Sequence, residues 1–208
     1  MALVKYNNNS ISAVTSAAAI PSGAMTLIKT LTASSSSTLS FVHGSSDVVL
    51  DSTYPIYVFK YINIHPATDN VQFQFNMSVD TGSNYNVAKT TTYFYAYHGE
   101  DEAEGSGLTY YTTGDLAQGT GSQPLSYSLG NGNDESLSGE LTIYNPSSTT
   151  FVKHFIANNN VYHKSNFSQE RFVAGYGNNT SAVDAIKFEM SSGNIDAGTI
   201  KLYGIKDS

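Results

Sequence analysis

The chain contains no cysteine and no tryptophan, and only 13% of its 208 residues are charged, about half of the usual share of roughly 25%. Without cysteine, a disulfide framework, an iron–sulfur cluster, a cysteine-ligated zinc ion and a thiol nucleophile are all excluded. The charges are also unequal, with 17 acidic side chains, 10 basic ones and a net charge of −7. Because nucleic-acid binding depends on Lys and Arg at phosphates, we expect no nucleic-acid partner.

Long apolar runs are missing as well. No window approaches the ~18 to 20 continuous apolar residues of a membrane-spanning helix, so we expect no membrane partner. The least polar early stretch, residues 11–25, is interrupted by serine, threonine and proline. It lacks the basic start and the firm apolar block of a signal peptide. We therefore expect the protein to be made and assembled in a cytoplasm.

Two-residue alternation is the dominant pattern of the chain. Between residues 70 and 80, Val71, Phe73, Phe75, Met77 and Val79 alternate with polar side chains. Successive side chains of a strand point to opposite faces, so this pattern predicts a strand with one face in a core. Similar runs predict nine more strands, at 25–32, 38–43, 55–64, 91–98, 137–145, 150–156, 170–176, 185–190 and 198–205.

Turn chemistry separates these runs, for example at 80–84, 145–148 and 191–194, where Gly, Asn, Asp and Pro favour turns. About ten short strands with such turns predict an all-β fold, an antiparallel β-sandwich of jelly-roll type. We predict a single domain over residues 25–208, with 99–136 as a long insertion loop region. Residues 1–24 are predicted to be an N-terminal arm. Its few apolar side chains are candidates for docking on a partner: Leu3, Val4, Tyr6, Ile11 and Val14.

Candidate catalytic and metal-binding patterns are weak. The chain has no nucleophile-elbow, phosphate-loop or dinucleotide-binding motif. A glycosidase needs two facing carboxylates about 5 to 10 Å apart, and the alternation places no acidic pair on an inner strand face. We predict a protein without enzymatic activity, cofactor or metal site. Oxygen ligands at 131–135 leave a bound calcium ion as an open alternative, although the spacing does not fit a helical calcium loop.

Tyrosine is abundant, with 15 residues in the chain. On the predicted strand 91–98, Tyr93, Tyr95 and Tyr97 share one face. Such a face is either packed in the core or presented to a sugar or a protein. With Tyr110 and Tyr111 of the insertion, these three tyrosines form a candidate ligand face.

Several segments together carry a family resemblance: 32–41, 61–69, 141–155, 174–180 and 191–205. In these segments, and most clearly in the last thirty residues, the chain resembles a family of structural proteins of marine tailed bacteriophages such as cyanophages. The resemblance covers the chain from about residue 25 to its C-terminus. It implies a β-sandwich displayed on the virion, on the capsid exterior or in a tail or fibre appendage. It carries no catalytic or metal-binding motif that could be transferred to this sequence.

Composition is compatible with this expectation, because protein interfaces are poor in Lys, Glu and Asp and rich in Tyr and Phe. We therefore expect a non-enzymatic virion structural protein that contacts other virion proteins and forms a homo-oligomer, for which a trimer is our guess. The alternative is a receptor- or carbohydrate-binding module of the phage tail. That module would bind a host-surface glycan through the insertion and the candidate ligand face.

Overall fold

The computed structural model describes residues 24–101 and 105–206. Most of the predicted arm lies outside this range, including all of its candidate docking residues: Leu3, Val4, Tyr6, Ile11 and Val14. The described residues form no helix. None of them belongs to a helix that is long and apolar enough to cross a membrane.

Twelve strands make up the fold. They are β1 (Met25–Thr32), β2 (Thr38–Val42), β3 (Ile56–Pro66), β4 (Phe73–Ser78), β5 (Lys89–Gly99), β6 (Ser106–Tyr110), β7 (Gln123–Pro124), β8 (Leu137–Tyr144), β9 (Lys153–His163), β10 (Phe167–Gly177), β11 (Ala185–Met190) and β12 (Ile195–Ile205).

The strands form two sheets in which every pairing is antiparallel. The larger sheet has eight strands in the order β1-β12-β3-β8-β9-β10-β5-β6, and the smaller one has four in the order β2-β11-β4-β7. The two sheets share one core, so the predicted all-β sandwich is confirmed. The jelly-roll type stays a prediction.

Each of the ten predicted runs overlaps one strand, and two further strands lie inside the predicted insertion 99–136. The largest difference is at β9, which continues to His163 although the predicted run ends at residue 156. β6 pairs with β5 along the edge of the larger sheet, and β7 pairs with β4. The alternation in β6 is hard to recognise because it has only two apolar side chains, Leu108 and Tyr110, and Tyr111 follows directly. Both side chains are exposed. β7 has only two residues, too few to show a period. The insertion also contributes Leu125 and Leu129 to the core.

The core between the sheets is centred on Phe188 of β11. Its ring contacts Phe41 and Phe73 of the smaller sheet, with ring centroids 6.3 and 5.7 Å away. Across the sandwich it contacts Phe59 and Tyr61 of β3 at 5.4 and 5.5 Å. Edge-to-face and offset-stacked rings of this kind stabilise a core beyond the burial of their area.

Polar side chains also lie in the interior. The side-chain amide of Asn76 donates to the carbonyl oxygens of Tyr85 and Thr120 at 2.6 and 3.0 Å. Its Oδ1 accepts a hydrogen bond of 2.6 Å from Nζ of the fully buried Lys89. Lys89 also donates to the carbonyl oxygen of Val87 at 2.8 Å. Burial lowers the pKa of Lys89 from its usual 10.5 to about 8, since a charge is costly where water is excluded.

Candidate functional site

The most unusual surface of the molecule is the side of the eight-stranded sheet that points away from the core, here called the outer face. Nine large apolar side chains are exposed among the described residues, and eight of them lie on this face. These eight are Met25, Leu27, Ile62, Phe94, Leu108, Tyr110, Tyr144 and Ile156. The ninth, Phe151, lies in the β8–β9 connection beside Tyr144 and His154.

An apolar groove crosses the outer face between β8, β9 and β10. It has a volume of about 390 Å³, and its lining includes Tyr144, His154, Ile156, Ala174 and Tyr176. The ring centroids of His154 and Tyr176 are 6.1 Å apart, and the two residues are cross-strand partners. Ile156 has 52% of its surface exposed, which is unusual for a large aliphatic side chain in the middle of a wide sheet.

A second apolar area lies towards the β6 edge of the same face. Phe94 of β5 and Phe172 of β10 are cross-strand partners. Their rings stack with centroids 4.9 Å apart and an angle of 12° between the planes. Tyr110 pairs with Phe94 on the other side, and its hydroxyl donates to Asp115 at 2.7 Å. Leu108 is 72% exposed, so this area extends to the edge of the sheet.

A polar groove of about 500 Å³ lies on the outer face next to these two areas, and its lining includes Lys60, Lys201, Glu140 and Glu170. Lys60 and Glu140 form an ion pair of 3.0 Å. Both side chains are more than two-fifths exposed, so this pair contributes little to stability. The groove carries two positive and two negative charges and is therefore neutral, unlike the chain as a whole.

The outer side of the four-stranded sheet is different in character. Its strands present Thr38 and Ser40 of β2 and Lys187 and Glu189 of β11. Lys187 and Glu189 form an ion pair of 2.8 Å, and Glu189 also accepts a hydrogen bond of 2.7 Å from Ser122. Among residues 24–101 and 105–206, the large exposed apolar side chains are thus confined to one side of the sandwich, together with Phe151 in the adjoining loop.

The five tyrosines of the candidate ligand face do not lie together on one exposed surface. Tyr93, Tyr95 and Tyr97 do share one face of β5, but it is the face that points inward. Tyr93 is fully buried, Tyr95 and Tyr97 are half-buried, and so is Tyr111. Tyr110 is exposed and lies on the opposite, outer face as the cross-strand partner of Phe94.

A buried arginine fills the space between these inward tyrosines. Arg171 is the only arginine in the chain, and it is 3% exposed. Its guanidinium carbon lies 4.7 Å from the ring centroid of Tyr95 and 5.6 Å from those of Tyr93 and Tyr127. It donates to the Tyr93 hydroxyl at 2.9 Å, to the Tyr127 carbonyl oxygen at 3.3 Å and to the side chain of Gln169. No ion pair joins Arg171 to an acid among the described residues.

The tyrosine rings stabilise the buried cation because the face of an aromatic ring is negative. Burial in turn raises the pKa of Tyr93, an effect that the nearby Arg171 charge opposes. The sequence contained a signal for this cluster that our interpretation missed. Arg171 lies two residues before the buried Val173 in the predicted strand 170–176 and therefore at an inward position.

The polar run 131–135, considered for calcium, folds back on itself and contacts His65. The Glu135 carboxylate accepts a hydrogen bond from the Gly132 amide, and the His65 ring contacts the Gly132 carbonyl oxygen at 3.0 Å. The other ring nitrogen of His65 lies 3.6 Å from Asp196. Within the part of the chain that the structure describes, no three His, Asp or Glu side chains are grouped so as to hold a metal ion.

Comparison with known proteins adds no relative. No protein-family model matches the chain, and neither the curated proteins nor the solved structures contain a significant match.

Proposed function

We propose that this chain is a non-enzymatic structural protein of the virion of a tailed bacteriophage, on the capsid exterior or in a tail or fibre appendage. Assembly in the host cytoplasm and contacts with other virion proteins belong to the same proposal. The apolar outer face is the observation that carries it. Monomeric soluble proteins rarely expose large apolar patches, and the patches that occur usually mark sites of contact with other proteins.

The chemistry of the outer face is that of a protein interface. Exposed aromatic and aliphatic side chains surround a narrow polar groove whose charges balance. Interface cores are enriched in aromatic residues and depleted in charged ones. The resemblance of 174–180 and 191–205 to marine phage structural proteins points to the virion as the assembly concerned.

A receptor- or glycan-binding module is the second candidate, and one observation favours it. Tyr110 and Leu108 are both exposed on the edge strand β6. An exposed aromatic ring at a sheet edge is suited to stacking against a sugar. In this alternative, removal of residues 106–110 would abolish binding to host cells, whereas charged substitutions in the apolar groove would not.

The virion role is tested on particles of a tailed phage whose genome encodes the chain. We expect purified particles to contain the chain in many copies by quantitative mass spectrometry, and a cryo-EM map to show the sandwich on the exterior or in an appendage. Particles that lack the chain after density-gradient purification would refute the proposal. We expect phage that encode Ile156→Glu to contain fewer copies of the chain per particle than wild-type phage. Phage that encode Thr38→Glu, on the polar side of the sandwich, are the control.

A further inference from the structure

We propose that the outer face binds a second copy of this chain, so that the eight-stranded sheets of two copies pack face to face about a two-fold axis. This inference rests on the proposed structural role and names the partner of the same surface. A face that packs against the same face of another copy gives a closed, two-fold contact. The contact unit is therefore a dimer rather than the trimer guessed from the sequence.

The distribution of apolar residues is the first argument. In an antiparallel sheet with one solvent-exposed face, apolar residues that point inward normally alternate with polar residues that point outward. Here several outward positions of β9, β10 and β5 hold apolar residues, namely Ile156, Ala174, Phe172 and Phe94, beside polar residues such as Asn158 and Glu170. These side chains make the outer face resemble the inner face of a sandwich, which is the surface that packs against another sheet.

The available area is the second argument. Eight strands at about 4.8 Å spacing, most of them 8 to 11 residues long at about 3.3 Å per residue, give a flat area on the order of 1,000 Å². A specific dimer of standard size buries about 800 Å² on each partner. The outer face is therefore large enough for a stable dimer without a contribution from other surfaces.

Charge is the third argument and favours a second copy as the occupant. The chain carries a net charge of −7, so two copies repel each other through most of their surfaces. In the polar groove of the outer face, however, Lys60 and Lys201 balance Glu140 and Glu170. Two copies that meet at this groove therefore bring no net charge together there, unlike the chain as a whole.

The in-register order of the strands suggests how the two copies align. One row of outward residues crosses six neighbouring strands, from β12 to β5, and consists of Lys201, Lys60, Glu140, Asn158, Phe172 and Phe94. Its two lysines lie at one end, its two stacked phenylalanines at the other end, and a carboxylate and an amide in the middle.

This row is complementary to itself if the two-fold axis lies in the plane between the two packed sheets. The axis is then parallel to the strands and passes midway between β8 and β9. The axis places β10 of one copy over β3 of the other, and β5 over β12. Lys60 and Lys201 then face the rings of Phe172 and Phe94 of the second copy, a favourable arrangement of a cation with an aromatic face. In the middle, Glu140 faces the Asn158 amide of the second copy, which can donate a hydrogen bond to it.

Sedimentation equilibrium of the full chain tests the contact. We expect a dimer at or below about 100 μM, since interfaces of this size bind in the micromolar range or tighter. Ile156→Glu and Phe172→Glu are expected to weaken the dimer by at least about tenfold, whereas Thr38→Glu is expected to leave it unchanged. A wild-type chain that stays monomeric, or an oligomer that is unaffected by both outer-face variants, would overturn the proposal.

Chemical crosslinking gives a second readout that does not depend on removing a side chain from the contact. Because the chain has no cysteine, a single introduced cysteine is its only thiol. Asn158→Cys lies next to the proposed axis and is expected to crosslink between copies with a short bis-maleimide. Thr38→Cys, exposed on the other sheet, is expected not to crosslink. The opposite pattern would contradict the proposed geometry.

The two proposals can fail separately. A chain that dimerises through the outer face but is missing from purified virions would refute the virion role and leave the interface in place. A chain that is present in virions but sediments as a monomer would refute the two-fold contact alone. In that case the outer face would be free for a different virion protein. Far-UV circular dichroism and thermal melting of each variant establish that it is folded.

Discussion

The guanidinium carbon of Arg171 lies 4.7 Å from the centroid of the Tyr95 ring, and the two residues are cross-strand partners in the middle of β10 and β5. The aromatic box that the inward tyrosines form is therefore occupied by the chain's own cation. This cation contributes to the stability of the inward side of β5 and β10, and the exposed apolar residues Phe94 and Ile156 lie on the outer face of the same sheet.

The first prediction concerns the cation in this box. Arg171→Lys keeps the positive charge but loses the planar fork that donates to Tyr93, Gln169 and the Tyr127 carbonyl. We expect the free energy of unfolding to fall by about 2 to 4 kcal/mol, because a buried cation is left with fewer partners. Urea denaturation measures this loss. Lys206→Met is the control, since this exposed lysine lies 5.9 Å from the ring of Tyr54 and should change stability by less than about 1 kcal/mol.

The second prediction compares two buried tyrosine hydroxyls. The Tyr61 hydroxyl is buried and has no hydrogen-bond partner among the described residues, whereas the Tyr93 hydroxyl accepts a hydrogen bond of 2.9 Å from Arg171. Tyr61→Phe is therefore expected to be neutral or stabilising by up to about 1 kcal/mol, and Tyr93→Phe to destabilise by about 1 to 3 kcal/mol. Thermal melting of the two variants checks the order. Equal losses would show that the Tyr61 hydroxyl has a partner, such as a buried water.

The third prediction is a pH dependence that originates from Lys89. Its pKa is about 8 in the folded protein because of burial, below its ordinary value of 10.5. Between these two values the unfolded chain binds a proton that the folded chain does not, so stability rises with pH in this window. Between about pH 7 and about pH 9.5 we expect wild type to gain on the order of 1 to 2 kcal/mol relative to Lys89→Met.

The upper limit of this measurement is set by tyrosine. Burial raises the pKa of Tyr57 to about 12. Above about pH 10 the unfolded chain loses a proton that folded Tyr57 keeps, so stability falls again. Burial also lowers the pKa of Lys153. The effect of Lys89 is therefore isolated by the difference between wild type and Lys89→Met in urea titrations below that pH. Lys164→Met, at an exposed lysine, is the control for the loss of one positive charge. A Lys89→Met variant with the wild-type pH profile would contradict the prediction.

The fourth prediction concerns the close contact of β8 and β9 at Gly139. A Cβ atom there would lie 2.4 Å from the carbonyl oxygen of Asn158 and 2.6 Å from Oδ1 of Asn159, well inside van der Waals contact. Because the clash is partly with backbone, we expect Gly139→Ala to lower the free energy of unfolding by about 1 to 3 kcal/mol. Gly121→Ala meets no atom within 4 Å and should cost less than about 0.5 kcal/mol. Chemical denaturation of both variants provides the comparison.

Much of the fold could be predicted from the sequence because most strands bury one face in a single core. The alternation from Val71 to Met77 fixes both the strand and its inward face, and Phe73 and Phe75 are fully buried as this pattern requires. β6 escaped prediction because its alternation is short. Leu108 and Tyr110 are its only apolar side chains, and Tyr111 follows directly, so the pattern spans too few residues to stand out.

The candidate site was harder to predict because it depends on strand order. Ile156, Ala174 and Phe94 come from three different predicted strands. β9 and β10 form a hairpin through residues 164–166, but the predicted run ended at residue 156 and hid it. Nothing local shows that β5 is the other neighbour of β10. The tyrosine face of β5 was recognised, but whether it was buried or exposed depended on the segment 99–136, whose Tyr111 and Tyr127 rings pack on Tyr93 and Tyr95. Arg171 settles that question, since its side chain lies among the inward tyrosines.

Carbene footprinting of the full chain at low and high concentration tests the central claim most directly, namely that the outer face of the eight-stranded sheet is a contact surface between copies. We expect Tyr144, Ile156 and Phe172 to be labelled in dilute solution and protected in concentrated solution, while Thr38 and Lys187 of the other sheet are labelled equally in both. Labelling of the outer face that is independent of concentration, or protection of the four-stranded sheet instead, would contradict the account.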